Sequence, residues 1–277
     1  MNQKMTIEQL VPNGLLISRK WLIGQGFSEA RVDHLVRAEK LTVVGKGVYR
    51  KPGQALKWQA VVVSLQSRNM GSLDLTVGGL TALEIQGLGH YLKLGSERTV
   101  DLYGRSSLPK WVKPLYHEVQ FRHFKEKLFS EEKALPLVEV TATKTSVVES
   151  NKPLAKAWRS VSWGSWDWPL TISTPELAIL EVLEGVPGKI SFEDCDSLFE
   201  GLASLSPRRL KLLLGHCKSV KVKRLFFWYA ERHQHSWLSS LDPQEFDLGS
   251  GKRVLAEKGK LNKKYLITVP GSMHGSK

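Results

Sequence analysis

Arg31, His34 and Arg37 recur at intervals of three in the stretch EARVDHLVR. On a helix, residues three apart are surface neighbours. The spacing therefore puts two guanidinium groups and an imidazole along one side. Such groups hydrogen-bond base edges in a DNA major groove, where a guanidinium grips guanine through two donors. Val32, Leu35 and Val36 fall at i, i+3 and i+4 and form a narrow apolar stripe that packs inward. Arg31 is assigned to a guanine, with His34 and Arg37 reaching bases or phosphates. Arg19, Lys20, Lys46 and Arg50 are placed as phosphate clamps, with Ser18, Ser28 and Tyr49 completing the candidate DNA-binding set.

The elements that must hold these groups are legible around them. Ser18 caps a first helix whose apolar side is Trp21, Leu22 and Ile23, and Gly24-Gln-Gly26 breaks it. Ser28 caps the second helix. Two β-branched runs follow, Leu41–Val44 and Gly47–Arg50, joined through Gly45-Lys46 as a type II′ turn with Lys46 at the tip. Helix, turn, helix and hairpin within forty residues spell a winged helix-turn-helix, which lays its second helix in the major groove.

Other chemistries leave little trace. There is no P-loop, no G-x-G-x-x-G, no G-x-S-x-G and no H-E-x-x-H. Leu248-Gly-Ser-Gly-Lys-Arg253 reads as a basic turn. Glu84, Asp101 and Glu139 are the acids available to a metal-dependent nuclease, but Glu139-Val-Thr lacks the lysine such cores place two residues on. Cys195 and Cys217 read as two buried thiols. His233 and His235 alternate and do not share a helix face. The expectation is a protein that binds rather than catalyses, with no metal and no cofactor.

Forty basic residues against twenty-seven acidic give a net charge of +13, which favours a polyanionic partner. The excess recurs late in the chain, at Arg208, Arg209, Lys211, Lys221, Lys223, Arg224, Lys252, Arg253 and Lys264, read as a basic C-terminal surface. Hydrophobic content of 42% suits a globular protein. No apolar run is long enough to span a membrane, and Met1-Asn-Gln-Lys lacks a signal-peptide core. A cytoplasmic protein with no membrane partner is expected.

Beyond the wing, helices are expected over Leu56–Ser67 and Gly78–Gly87. Strands are expected at Thr99–Tyr103, His117–Arg122, Leu137–Thr141 and Leu170–Ile172. Trp158, Trp163, Trp166 and Trp168 crowd a loop-rich stretch, expected as a satellite core. Four helices follow. They start at Thr174-Pro175, where Thr174 is the cap, near Ser191, at Ser206-Pro207 and before Val222. On the last, Val222, Leu225, Phe226 and Tyr229 face inward, with Lys221 and Arg224 off that face. Lys264–Val269 closes as a strand, and Ser272–Lys277 is expected to fray. The fold class is α+β. A DNA-binding region spans 1–94, with the winged helix within 1–53 and linking helices over 54–94. A larger mixed α/β domain with a helical group spans 95–277.

Several stretches together resemble the AbiEi antitoxins of type IV toxin–antitoxin systems. They are ISRKWLIGQGFSEARVDHLVRAEKL with the Gly47-Val-Tyr49 wing, STPELAIL, LSPRRLKLLLGHCKSVKVKRLFFWYAERHQHSW, DLGSGKR and KYLITVP, in that order. The winged helix alone would not single out the family. The resemblance implies a DNA-binding autorepressor whose first domain binds inverted repeats upstream of its own operon. It implies a second domain required to counter a nucleotidyltransferase-like toxin, with or without direct contact, in systems that abort phage infection by halting growth. Two alternatives stay open: an RNA-binding module braced by the winged helix, and a metal-dependent nuclease with a DNA-reading domain.

Overall fold

The computed structural model describes residues 6–53, 55–89, 98–115, 119–129 and 135–273. A short helix, α1 (Ile7–Leu10), is closed by a capping box between Thr6 and Gln9. Strand β1 (Ile17–Ser18) runs into α2 (Arg19–Gly24), where Ser18 Oγ accepts from the Trp21 amide. Ser28 caps α3 (Glu29–Arg37) in the same way. Strands β2 (Thr42–Gly45) and β3 (Val48–Arg50) form the wing, and β1 joins them in the order β1-β3-β2. Ile7, Leu10, Ile17, Leu22, Phe27, Val32, Leu35 and Tyr49 belong to one small core beneath. Ile23 points out and is 41% exposed, because the core side of so short a helix is filled by Leu22.

The wing turn differs from expectation. Gly45 pairs with Val48, so the loop is Lys46-Gly47 and not Gly45-Lys46. Gly47 takes φ of 69°, which favours a residue without Cβ. Gly45 is needed for a separate reason: a Cβ there would lie 2.9 Å from Trp111 Cβ, which packs against the wing.

The rest of the chain builds a larger core. In chain order come α4 (Trp58–Gln66), β4 (Thr76–Val77), α5 (Gly79–Ile85), β5 (Arg98–Gly104) and β6 (Val119–Lys125). Next are β7 (Leu137–Val140), β8 (Thr145–Val148), β9 (Trp158–Trp163) and β10 (Trp168–Ser173). The helices α6 (Pro175–Glu184), α7 (Phe192–Glu200), α8 (Pro207–His216) and α9 (Val220–His233) follow, then β11 (Lys260–Asn262) and β12 (Ile267–Val269). Five strands form one mixed sheet in the order β6-β5-β4-β10-β9, with β7-β8 and β11-β12 as separate hairpins. Helices and sheets thus coexist in an α+β fold.

The linking helices sit in this larger core: Trp58, Val62 and Leu83 share it with Val100, Ile172 and Leu177. A third cluster, Leu16, Val48, Val61, Leu65, Leu75 and Val112, ties the wing module to it.

Other expectations are corrected. The tryptophan stretch is a hairpin, with Trp163 paired to Trp168 across β9 and β10. Trp158 and Trp168 are buried in the main core, while Trp166 is 43% exposed and stacks on Trp168 at 4.8 Å. The last strand begins at Ile267, and Lys264 lies in the turn before it. Ser272 does not start a frayed tail, because Met273 is buried and its carbonyl accepts from Arg232. Residues 274–277 lie outside the described residues, as do His117 and Glu118 of the expected strand. Thr174 occupies the cap position of α6, yet its side chain makes no capping bond.

Candidate nucleic-acid interface

Helix α3 buries Val32 and Leu35 and leaves Arg31, His34 and Arg37 exposed on the other side. The Arg31 guanidinium stacks on Phe27 at 4.6 Å, which holds it beside the helix without using up its donors. Arg37 Nε reaches the Asp33 carbonyl at 3.4 Å. Lys20 on α2 and Lys46 at the wing tip are also exposed. Together with Ser28, the residues Lys20, Arg31, His34, Arg37 and Lys46 are the solvent-facing part of the candidate set.

Three other members, Ser18, Arg19 and Tyr49, do structural work. Tyr49 is 4% exposed, and its hydroxyl accepts from Arg19 Nη1 at 3.1 Å. Arg19 in turn pairs with Asp33 at 2.8 Å and approaches Glu29 at 3.7 Å. Arg19 therefore braces α3 against the wing, and Tyr49 packs in the small core. Ser18 Oγ donates to the Asn69 carbonyl while capping α2, so its hydroxyl is occupied. Ser28 is exposed and Arg50 half-buried.

The expected basic C-terminal surface breaks up. Arg224 is 1% exposed and Lys223 is buried. The Arg224 guanidinium donates to the carbonyls of Leu248 (2.6 Å), Gly251 (2.7 Å), Gly249 (3.0 Å) and Leu266 (3.3 Å). The fork of an arginine is thus spent on closing the 248–251 turn onto α9, a correction to its reading as a surface cation. Lys221 is half-buried and donates to the carbonyls of Glu184 and Val186. Arg209 pairs with buried Glu176 at 2.9 Å, Lys211 with Glu245, and Lys264 with Glu231. Arg208, Lys252 and Arg253 remain exposed.

The acids considered for a nuclease have other partners. Asp101 is 2% exposed and accepts from Arg122 Nε at 2.7 Å, yet burial still holds its carboxyl above the ordinary range. Burial likewise raises Glu84. Glu139 faces Arg68 at 3.8 Å. Among the described residues, no three His, Cys, Asp or Glu side chains form a group that would hold a metal ion. His233 bonds Asp196 at 2.8 Å and His235 bonds the Phe199 carbonyl at 2.7 Å, both within the helical group. Cys195 and Cys217 are buried, and burial pushes the Cys217 thiol up to about 11.

Two cations escaped the sequence reading. Lys156 and Arg159 line one groove with Arg208, though they lie some fifty residues apart in sequence. No local pattern marks them.

Two family models cover this architecture. One, for the N-terminal domain of AbiEi antitoxin transcriptional regulators, matches residues 2–94. The other, for the AbiEi antitoxin transcriptional regulator of type IV toxin–antitoxin systems, matches residues 97–270. The chain belongs to the AbiEi family. As an AbiEi protein it is a transcriptional regulator and antitoxin of the type IV class. No match is found among curated proteins. Among solved structures it is similar to the RV2827C protein from Mycobacterium tuberculosis at 14% identity and a TM-score of 0.48, covering 91% of this chain and 85% of that one. Among the described residues no helix is long and apolar enough to cross a membrane.

Proposed function

We propose that this AbiEi protein binds duplex DNA at inverted repeats upstream of its own operon and represses transcription, with α3 in the major groove and the wing on the backbone. The observation that carries the reading is the row Arg31, His34 and Arg37, exposed on a helix whose other side is locked by Val32 and Leu35. Lys46 and Lys20 flank it and supply phosphate contacts, while Arg31 selects a guanine. The larger domain serves as the part that counters a nucleotidyltransferase-like toxin.

The test is fluorescence anisotropy on duplex DNA from immediately upstream of the gene, against a scrambled duplex, at several salt concentrations. Preference of about a thousandfold or more supports an autorepressor. Equal, steeply salt-dependent binding to both would leave only non-specific attraction by the +13 charge.

A further inference from the structure

A groove of about 1010 Å³ lies between β9, an edge strand of the five-stranded sheet, and the starts of α6 and α8. Lys156, Arg159 and Arg208 line it, all exposed and without an ion pair to any described residue. Glu149 is the sole acid among the described residues that line it. Beneath, the Glu176 carboxylate accepts from the Ser206 amide at 2.7 Å and from Arg209 at 2.9 Å. This bridge fixes the beginnings of two helices side by side, so the positive ends of both dipoles open on the same groove.

Thr174 adds an independent sign of a ligand. It lines the groove, is 2% exposed, and its Oγ1 has no hydrogen-bond partner among the described residues. Its place at the head of α6 would normally engage that hydroxyl in capping, and it does not. A buried hydroxyl left unmatched is costly in the free protein. It becomes an asset when an acceptor, such as a phosphate oxygen, reaches it.

We propose that this groove binds the phosphate backbone of a single-stranded nucleic acid, separately from the winged helix. Three unneutralised cations along a channel match a polyanionic chain. The recessed Thr174 hydroxyl and the paired helix starts favour a thin, bendable strand. A duplex carries its phosphates on a stiff convex surface and would meet the exposed cations without reaching the floor.

The experiment is anisotropy of the full chain with labelled oligo-dT and oligo-U of about a dozen nucleotides, over a range of salt. Binding of either is expected, with the two arms showing whether the sugar matters. The triple variant Lys156→Glu/Arg159→Glu/Arg208→Glu should weaken it by at least about tenfold and flatten the log–log salt slope by about 2, near 0.7 per lost phosphate contact. Thr174→Val should also weaken binding, yet raise the melting temperature of the free protein, because it deletes an unmatched buried hydroxyl. Arg31→Ala should leave oligonucleotide binding unchanged. If the triple variant fails to fold, the Thr174→Val comparison decides alone. The proposal is overturned if neither oligonucleotide binds, if binding ignores both groove variants, or if the groove variants lose duplex affinity instead.

Discussion

Arg224→Met is expected to destabilise the protein by about 3–6 kcal/mol without changing its affinity for nucleic acid. The guanidinium makes four bonds to carbonyls, and it is 1% exposed. Gly249 and Gly251 are exposed, so their carbonyls regain water when the side chain is lost. The carbonyls of Leu248 and Leu266 sit on half-buried residues and stay shielded. Two unreplaced bonds to a charged donor, at roughly 1.5–3 kcal/mol each, give the estimate. At about 2–4 °C per kcal/mol for a chain of this size, the melting temperature should fall by about 6–24 °C. Arg224→Lys should recover little, because an ammonium has no fork to span several carbonyls. Urea and thermal denaturation followed by circular dichroism measure the loss, and anisotropy below the transition measures binding. A loss under about 1 kcal/mol, typical of a surface position, would refute the structural role. So would a folded variant with sharply weakened nucleic-acid binding.

Four other outcomes are expected. Arg31→Ala should cost about 1–3 kcal/mol of operator binding and relax sequence preference; unchanged binding to operator and random duplexes would count against α3 as the reading helix. Asp33→Asn removes a negative charge beside the row and frees Arg19, so non-specific duplex affinity should rise and its salt dependence steepen, whereas weaker binding would show that the bracing of α3 matters more than the charge. For Asp196, burial pushes the carboxyl up, but hydrogen bonds from Arg232 and His233 outweigh it and leave it below the ordinary value. Its stabilisation is then present above the unfolded carboxylate pKa of about 3.9 and lost as pH falls through the lower folded value; Asp196→Asn should lower the urea midpoint near pH 7 and converge on the parent in strong acid, and a gap that persists there would contradict the sign. Truncation after Gly53 uncovers Leu16 and Val48, and the fragment should bind a hydrophobic dye and melt without cooperativity, unlike a self-sufficient domain.

The wing module was readable because its signals are local. Ser18 and Ser28 cap within three residues, and the i, i+3, i+4 stripe of α3 lies inside nine. What escaped depends on distant partners. Strand β4 has two residues and no periodicity of its own; it is a strand because β5 and β10 flank it. The sequence places the turn one residue early, at Gly45-Lys46, because the close packing of Trp111 on Gly45 comes from far along the chain. Arg224 looked like a surface cation because a charge in an apolar helix usually marks the solvent side. Its burial is set by carbonyls 24 to 42 residues later. The groove of Lys156, Arg159 and Arg208 was illegible for the same reason, because only folding brings β9 alongside α8.

These distant contacts bear on how the proposed reading head would work. The Leu16 amide donates to Ser64 Oγ at 2.8 Å, Ser18 Oγ donates to the Asn69 carbonyl at 3.0 Å, and Trp111 packs on the wing. From within the module, Arg19 bridges Tyr49 and Asp33 and so fixes α3 to the wing. Helix α3 is therefore tied to the wing through Arg19, and the wing module is tied to the larger core. Recognition of inverted repeats needs two such helices at a set distance, near 34–36 Å or its multiples. A module on a flexible tether would tolerate many spacings and gain little from the second half-site. If the protein reads inverted repeats as proposed, a module anchored in this way would pass the geometry of the larger domain to the DNA, so that domain would set which spacing is read even where it touches no base.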